Sequence, residues 1–473
     1  MLANLRPRNV VGNLLTDKKR GTSLDIADLT ERLGTEAVGD EIYRLIRDLY
    51  PLCRSLTGNG IRQTLRTVGQ YIPLTTYEIP TDKQVLDWTI PNEWNIKVAY
   101  IKNSKGQTVL DFGNSNLHVV SYSVPVKTRM RLAELKQHLF TLPEHPDWIP
   151  FRTSYYKKNW GFCLSHNQLM ELADDDYEIC IDSSLEPGFL TYGECLLRGE
   201  TPDEVLLSCH TCHPSLCNDN LSGIALVTFL AKHLSLVSLR YSYRFLFIPS
   251  TIGSVCWLSL NEDRLCNIRH GLVVAGVGDP GKLTYKKTRR GDTEIDKAVS
   301  HALKYSGEDY EILDFYPYGY DERQFCSPGF NLPVGCFMRT PHGRYPEYHT
   351  SADNLEFVRP AYLADSLLQC LSAISILENN KAYMNQNPKG EPQLGKRGLY
   401  RGYPNGGVED LALLWVLNLS DGDHTLLDIA ERAGIAFAAV KKAADALLAC
   451  DLLREIPNEH GSQGSLECER VFG

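Results

Sequence analysis

Histidine and aspartate side chains in one short segment are the residues best suited to chemistry in this 473-residue chain. His210 stands at the end of the apolar run 205–209, and Asp219 comes nine residues later, just before a predicted helix over 222–236. In open α/β sheets, the loops at the carboxyl ends of the strands form the ligand crevice. An imidazole and a carboxylate in that place can share one cation, and zinc accepts both kinds of ligand. The segment therefore predicts a zinc site.

A second segment, 345–354, supplies His349 as a remote third ligand. Three protein ligands leave a fourth position open to water, which is typical of a catalytic rather than a structural zinc site. His213 is a further candidate ligand, but Pro214 follows it and the sequence does not show where its side chain points. A single histidine is usually an ordinary core or surface residue. The alternative interpretation of the first segment is a helix N-cap at Ser222. That alternative would not explain a histidine at the end of a strand.

Short apolar runs alternate with amphipathic helices after residue 204, which indicates an α/β sheet covered by helices on both faces. The region 77–196 instead shows short alternating stretches between turn clusters, including a predicted strand over 118–124. A polar linker precedes three short helices, with Gly434 in a turn and a candidate β-wing at 452–456. That last pattern is typical of a winged helix-turn-helix.

These patterns divide the chain into five parts. We predict an N-terminal arm over residues 1–37, an α/β domain from 38–80 and 190–385, a β-rich insertion over 81–189, a linker over 386–406, and a winged-helix domain over 407–473.

Composition narrows the class of protein further. The chain is 43% hydrophobic and 23% charged, which excludes wholesale disorder. A net charge of −9 argues against a broad basic surface, so no nucleic-acid partner is expected. No apolar run approaches the roughly 20 residues of a membrane span, and residues 1–20 contain no apolar leader core, so we expect a cytoplasmic protein with no membrane partner. The 14 scattered cysteines are expected to be reduced thiols, and a homo-oligomer is left open.

Several motifs together resemble one family. Residues 210–223, with Asn218-Asp219-Asn220 and Ser222-Gly223, resemble the first metal motif of the di-zinc aminopeptidases, and 348–353 resembles their last. Residues 321–333 resemble the segment that lines their substrate pocket. Over about residues 40–456 the chain is similar to a bacterial aminopeptidase-like family, often associated with polysaccharide or natural-product biosynthesis, through the further segments 49–58, 210–214, 285–291 and 346–350.

The resemblance implies a three-layer, zinc-exopeptidase-like α/β sheet with a β-rich insertion and a C-terminal winged helix. It implies zinc-dependent hydrolysis of an amide bond in a small peptide or aminoacyl substrate, with His210, Asp219 and His349 as metal ligands. Asp321 and Tyr348 are expected to contact the substrate. Arg289 and Arg290 are candidates for a carboxylate clamp, because guanidinium groups bind carboxylates with two hydrogen bonds; the alternative for these arginines is a solvated loop.

One departure from the family pattern bears on activity. Ser250 and Thr251 stand where the aminopeptidases carry adjacent glutamates, and a hydroxyl cannot act as a general base near neutral pH. Glu347 is therefore the predicted proton carrier. Asp279 is a candidate for a displaced metal ligand, although a turn role explains it slightly better. One zinc is the expected count, and the alternative function is a catalytically impaired binding or scaffold protein.

Overall fold

The computed structural model describes residues 25–399 and 407–456. The described residues form two compact units, and each is described by itself below: residues 25–289 with 311–368, and residues 290–310 with 369–399 and 407–456. Much of the predicted N-terminal arm lies outside the described residues, as do parts of the predicted linker and winged-helix domain, at positions 1–24, 400–406 and 457–473. Residues 25–37 carry a short helix and the start of a second one.

Helices and strands follow one another along the described residues. The helices are α1 (Ile26–Arg32), α2 (Thr35–Leu49), α3 (Asn59–Val68), α4 (Leu132–Leu135), α5 (His166–Met170), α6 (Gly223–Leu234), α7 (Ile252–Leu260), α8 (Glu294–Lys304), α9 (Glu322–Phe325), α10 (Pro360–Asn379), α11 (Val408–Leu419), α12 (Leu426–Ala433) and α13 (Phe437–Leu448). The strands are β1 (Thr75–Pro80), β2 (Gln84–Val85), β3 (Trp88–Thr89), β4 (Glu93–Lys102), β5 (Thr108–Asp111), β6 (Val126–Arg131), β7 (Leu139–Phe140), β8 (Phe162–Cys163), β9 (Asp176–Glu186), β10 (Phe189–Leu197), β11 (Glu204–His210), β12 (Ser242–Ile248), β13 (Ile268–Val274), β14 (Leu283–Lys286), β15 (Tyr310–Leu313), β16 (Val334–Met338), β17 (Ala382–Asn385), β18 (Asp421–Thr425) and β19 (Leu453–Glu455).

The largest sheet has eight strands in the order β1-β10-β12-β11-β13-β16-β14-β15. The four central strands β12, β11, β13 and β16 are parallel, and His210 at the end of β11 pairs with Ile248 at the end of β12. Parallel strands end at one edge, so the segments that follow these four strands meet there. This edge carries every metal ligand that the sequence predicts.

Burial on both faces explains why the central strands are continuous apolar runs. Leu206 of β11 and Ile248 of β12 belong to a core cluster with Val255 of α7 and Phe325 of α9. Alternate residues such as Phe247 are equally buried and face the other side, and α6 packs against β10 to β13. The predicted α/β class is confirmed.

The segment 81–189, predicted as the insertion, contains a separate four-stranded sheet in the order β5-β4-β9-β6, with its own apolar core. The predicted strand over 118–124 is wrong. A short 3-10 turn ends at His118, and the Ser123 hydroxyl donates to the Val120 carbonyl at 2.6 Å, so the chain reverses instead of extending. No disulfide joins the cysteines of the described ranges.

The second unit contains α8, α11 to α13 and a three-stranded sheet in the order β18-β17-β19. The central strand β17 pairs with β19 through Tyr383 and Glu455. The sequence-based boundary at residue 385 placed β17 with the α/β domain, whereas its pairing places it in the winged-helix sheet. In this unit His301 of α8 accepts a hydrogen bond from the Phe437 backbone N–H at 3.0 Å and contacts Glu431.

By length and composition alone, α10 is long and apolar enough to cross a membrane. This was not predicted from the sequence, because polar residues interrupt the apolar ones in this segment. The helix has 20 residues and a mean hydropathy of 1.3, and 56% of its most apolar stretch is buried within the protein. Core helices of proteins without membrane spans share these properties.

Gly223, the first residue of α6, provides a test of the packing behind the site. A Cβ atom there would lie 2.4 Å from Asn220 Oδ1 and 2.5 Å from the Val274 carbonyl oxygen. We expect Gly223→Ala to destabilise the fold by about 1–3 kcal/mol, because the crowded backbone must move. Urea unfolding measures the change.

Gly329→Ala is the matched control, because a Cβ atom at Gly329 would meet nothing within 4 Å. We expect it to change the unfolding free energy by less than about 0.5 kcal/mol. Equal midpoints for the two variants would contradict the packing described here.

Candidate metal centre

Three imidazoles meet the carboxylate of Asp219 at the carboxyl edge of the sheet. His210 Nε2 lies 2.8 Å from Asp219 Oδ1, and His349 Nε2 lies 2.9 Å from Asp219 Oδ2. His213 Nε2 is 3.9 Å from the same Oδ2 atom. The structure thus brings the three predicted ligands together and adds His213, the further candidate.

The donor atoms are spaced as a metal ion requires. One ligand atom each from His210, His213 and Asp219 falls within 4.8 Å of the others. Asp219 Oδ2 and His349 Nε2 are buried atoms that complete no hydrogen bond of good geometry among the described residues, although they lie 2.9 Å apart. Buried polar atoms without partners are rare in native proteins, and a bound cation would satisfy both.

Burial and charge set the protonation of this cluster. The side chain of Asp219 is fully buried, which alone would raise its pKa, but the neighbouring imidazoles outweigh burial and hold that pKa well below its usual range. Burial lowers the pKa of His213 to about 3. Its ring is therefore neutral near pH 7 and keeps a nitrogen lone pair that can bind a metal.

A second carboxylate fixes the loop that carries Asp219. Asp353 is buried and accepts hydrogen bonds from the backbone N–H groups of Asn218 at 2.5 Å and Asp219 at 2.9 Å. Burial raises its pKa to about 8. Asp279 accepts from the Asn218 amide at 2.9 Å and from the Gly281 N–H at 2.8 Å, so the structure uses Asp279 as a turn and support residue.

The insertion holds the loop of His349. The Phe151 N–H donates to the His349 carbonyl at 2.8 Å, and the Ser351 N–H donates to the Ile149 carbonyl at 2.8 Å. The Phe151 ring meets the rings of both His213 and His349 edge-on at 5.2 Å. His349 has a left-handed backbone, φ +58°, which this pairing can maintain. Sequence reasoning missed Phe151, because an apolar residue in a distant segment carries no chemical signal.

Two tyrosine rings flank the imidazoles. Tyr348 stacks on His349 at 3.9 Å, which places this predicted substrate residue at the site. Tyr320 stacks on His210 at 5.3 Å, and its buried hydroxyl has no hydrogen-bond partner among the described residues. Tyr320 was not predicted to lie at the site. It directly precedes Asp321, the first residue of the segment 321–333 that was identified in the sequence.

Ser250 and Thr251 are both contacted by the segment that begins at Asp321. The hydroxyls of Ser250 and Ser254 donate to Asp321 Oδ1, each at 3.1 Å. Arg323 donates to the Thr251 hydroxyl at 3.3 Å. Asp321 is only 1% exposed, and burial raises its pKa to about 6.

Glu347 and the arginine pair make fewer contacts. The backbone carbonyl of Glu347 accepts from the Thr350 N–H at 3.0 Å, and no hydrogen bond or ion pair from the described residues reaches its carboxylate. Its role as proton carrier stays a prediction. Arg289 is exposed and donates to Asn331 at 3.0 Å, and Arg290 is exposed as well. The carboxylate clamp stays a prediction.

Lys286 is the buried cation of the basic segment 285–291, which also contains Arg289 and Arg290. Its ammonium lies 2.5 Å from Glu322 Oε1, with both side chains almost completely inaccessible. It also donates to the carbonyls of Tyr316 and Tyr318, at 3.1 and 2.9 Å. Lys286 therefore anchors the segment that leads into Asp321.

Comparisons with known proteins agree with this architecture. A family model described as a domain of unknown function, DUF4910, matches residues 43–380, and a winged helix-turn-helix model matches residues 381–455. A Clostridium acetobutylicum protein is 56% identical over 419 residues, covering 88% of this chain and 96% of that protein. Its provisional name assigns it to polysaccharide biosynthesis, with an aminopeptidase-like domain.

Solved structures show the same fold. A crystal structure of a provisionally named peptidase from Clostridium acetobutylicum has a TM-score of 0.86 and 52% identity, covering 94% of this chain and all of that one. A zinc aminopeptidase from Bacillus subtilis gives 0.53 at 12% identity, covering 71% and 94% of the two chains. A peptidase M28 precursor from Shewanella amazonensis gives 0.52 at 12% identity, covering 75% and 96%.

The clamp formed by Asp353 generates a prediction about metal affinity. In Asp353→Asn one backbone N–H of the Asp219 loop loses its carboxylate acceptor, so Asp219 is held less firmly. Loss of a supporting group of this kind typically weakens metal binding by about 10–100-fold. Competition with a chelator measures the affinity. Glu356→Gln, which removes an exposed carboxylate from the same segment, should leave the affinity unchanged, and equal affinities in both variants would refute the role of the clamp.

Proposed function

Because the chain belongs to this aminopeptidase-like family, we propose that it is a zinc-dependent hydrolase of an amide bond in a peptide or aminoacyl conjugate. The observation that carries the proposal is the convergence of His210, His213 and His349 on the buried Asp219. Two of the donor atoms find no hydrogen-bond partner within the part of the chain that the structure describes. The fold of zinc aminopeptidases and the name of the Clostridium relative support it.

His210, Asp219 and His349 would hold the zinc, with His213 within reach. When bound, zinc polarises a carbonyl oxygen and lowers the pKa of its water to about 7. A neutral or anionic donor set of this composition suits zinc, which binds imidazole and carboxylate ligands. One ion is proposed, because Ser250 and Thr251 offer no carboxylate for a second.

The chain itself would position the substrate and limit water around the reacting bond. Tyr348 and Tyr320 present ring faces beside the two imidazoles, and Phe151 closes a third side. Aromatic side chains in such positions bind the apolar parts of a small ligand, and a few polar groups fix the orientation of the ligand. A small peptide or aminoacyl substrate is the partner that this arrangement favours.

We further propose a cytoplasmic role in a biosynthetic pathway, with the winged helix as a protein-contact module and not a nucleic-acid reader. Its helix α13 carries Lys441 and Lys442, and both are neutralised, by Asp445 at 2.7 Å and Glu409 at 2.8 Å. Phosphate contacts need free cations, so these paired lysines argue against a role in nucleic-acid binding.

Zinc content tests the site. The full chain should retain about one zinc per molecule after desalting, and His349→Ala should lose it, because three protein ligands are the usual number at a catalytic zinc. Elemental analysis measures the content. His424→Ala is the control, since His424 is as exposed as His349, at 34%, but belongs to the second unit.

Other results would change the assignment. Loss of zinc in His213→Ala with retention in His210→Ala would exchange these two histidines. A wild-type protein that takes up no zinc under saturating conditions would reject the hydrolase and leave the scaffold function.

Duplex DNA should bind the full chain only weakly, with no salt-sensitive complex below micromolar concentration, because the net charge is −9 and the two lysines of helix α13 are both in ion pairs. A gel shift at two salt concentrations measures this. Lys441→Glu with Lys442→Glu should give the same result as wild type. Tight binding that falls with salt, and that this double variant abolishes, would refute the prediction.

A further inference from the structure

A buried carboxylate reaches the place after β12 where the sequence provides only hydroxyls. Asp321 Oδ1 is held by the hydroxyls of Ser250 and Ser254, while its Oδ2 atom is buried and makes no hydrogen bond among the described residues. Supporting residues fix one oxygen of this group and leave the other available. The metal cluster itself does not use it.

The strand register places Asp321 at the metal edge. Ile248 pairs with His210, and the Ser250 carbonyl two residues further on accepts from Cys212 Sγ at 3.7 Å. The ring of Tyr320, which directly precedes Asp321, lies nearly parallel to that of His210, with an interplanar angle of 21°. Asp321 thus hydrogen-bonds to the segment after β12, and its neighbour Tyr320 packs on a candidate metal ligand.

The charge state of Asp321 suits proton exchange near neutral pH. Burial raises its pKa to about 6, against the effects of His210 and the two serine hydroxyls, which lower it. Among the described residues, Asp321 also interacts electrostatically with Glu322, which is paired with Lys286, and with the thiols of Cys209, Cys212 and Cys336. A general base works best when its pKa lies near the operating pH.

We propose that Asp321 is the catalytic proton carrier of the hydrolysis, an inference that rests on the proposed function. Asp321 Oδ2 takes a proton from the attacking water as the water oxygen bonds to the amide carbonyl carbon. When the carbon–nitrogen bond breaks, the same carboxyl group returns that proton to the leaving amine. The products are a carboxylic acid and an amine, so one water is consumed and Asp321 is restored.

Hydroxamate binding to the zinc-loaded full chain tests the inference without requiring the natural substrate. A hydroxamic acid that binds zinc as its anion must give its proton to a neighbouring base. The affinity of acetohydroxamic acid, measured by calorimetry, therefore depends on whether that base is present. Asp321→Asn should keep its zinc and bind acetohydroxamic acid roughly 10–100-fold more weakly, as expected for loss of a hydrogen bond to a charged group.

The matched control is Asp410→Asn, which alters a buried carboxylate with an unpartnered Oδ2 atom in the second unit. It should bind the hydroxamate as the wild type does. If Asp321→Asn does not fold, Ser250→Ala replaces it: removing a donor to Asp321 Oδ1 should weaken the hydroxamate several-fold with zinc retained, and an unchanged affinity would count against the inference.

Four outcomes would overturn the inference. Wild-type affinity in Asp321→Asn, together with a loss in Glu347→Gln, would assign the proton to Glu347. A zinc-loaded wild type that binds no hydroxamate would show that no base faces the metal. On any aminoacyl amide that is turned over, a raised KM with unchanged kcat in Asp321→Asn would place Asp321 on the substrate amine, whereas a base requires kcat to fall about 10²–10⁴-fold. A wild type without zinc would reject the proposed function itself.

Discussion

Everything around the site depends on the burial of one carboxylate. Asp219 has no exposed surface, and an unpaired charge in such a place costs several kcal/mol. Imidazoles from different segments surround that charge, His210 from the end of β11 and His349 from the loop after β16. Asp219 Oδ2 and His349 Nε2 still complete no hydrogen bond among the described residues, so a bound cation would meet the rest of the cost. Asp353 then holds the backbone on either side of Asn218. The carboxyl edge of the sheet positions these segments, and the buried charge of Asp219 requires polar side chains around it.

Parallel strands make such a site predictable from sequence. Because their carboxyl ends share an edge, His210 and Asp219 could be placed together from local pattern alone. The alternation of short apolar strands and helices after residue 204, and the short helices around the turn at Gly434, were equally local patterns, and β16 and α12 are examples that the structure contains. His349 was proposed because a zinc site needs a third ligand, and the family resemblance supported it, since its separation in the sequence gives no indication of proximity.

Features that depend on long-range contacts were beyond sequence reasoning. Phe151 lies in the distant segment 81–189, and only the folded structure shows that its backbone hydrogen bond and its ring contact support His349. Strand β17 precedes a polar linker and seemed to end the first domain, yet its partners β18 and β19 lie beyond that linker. The link between Ser250 and Asp321 joins residues 71 positions apart. In each case the local sequence pattern of one residue or strand is ordinary. Its structural role depends on contacts with residues that are distant in the sequence.

The pairing of Ile149 and Phe151 with the His349 loop also couples the insertion to the candidate metal centre. An insertion that only decorated the surface could be lost, lengthened or exchanged between relatives without consequence. Here its backbone holds the candidate ligand His349 in a left-handed conformation. A change in the insertion that moves residues 149–151 would therefore displace His349 and alter the candidate metal centre. The insertion is part of the architecture of that centre, and exchanging it for another segment would change the candidate site as well.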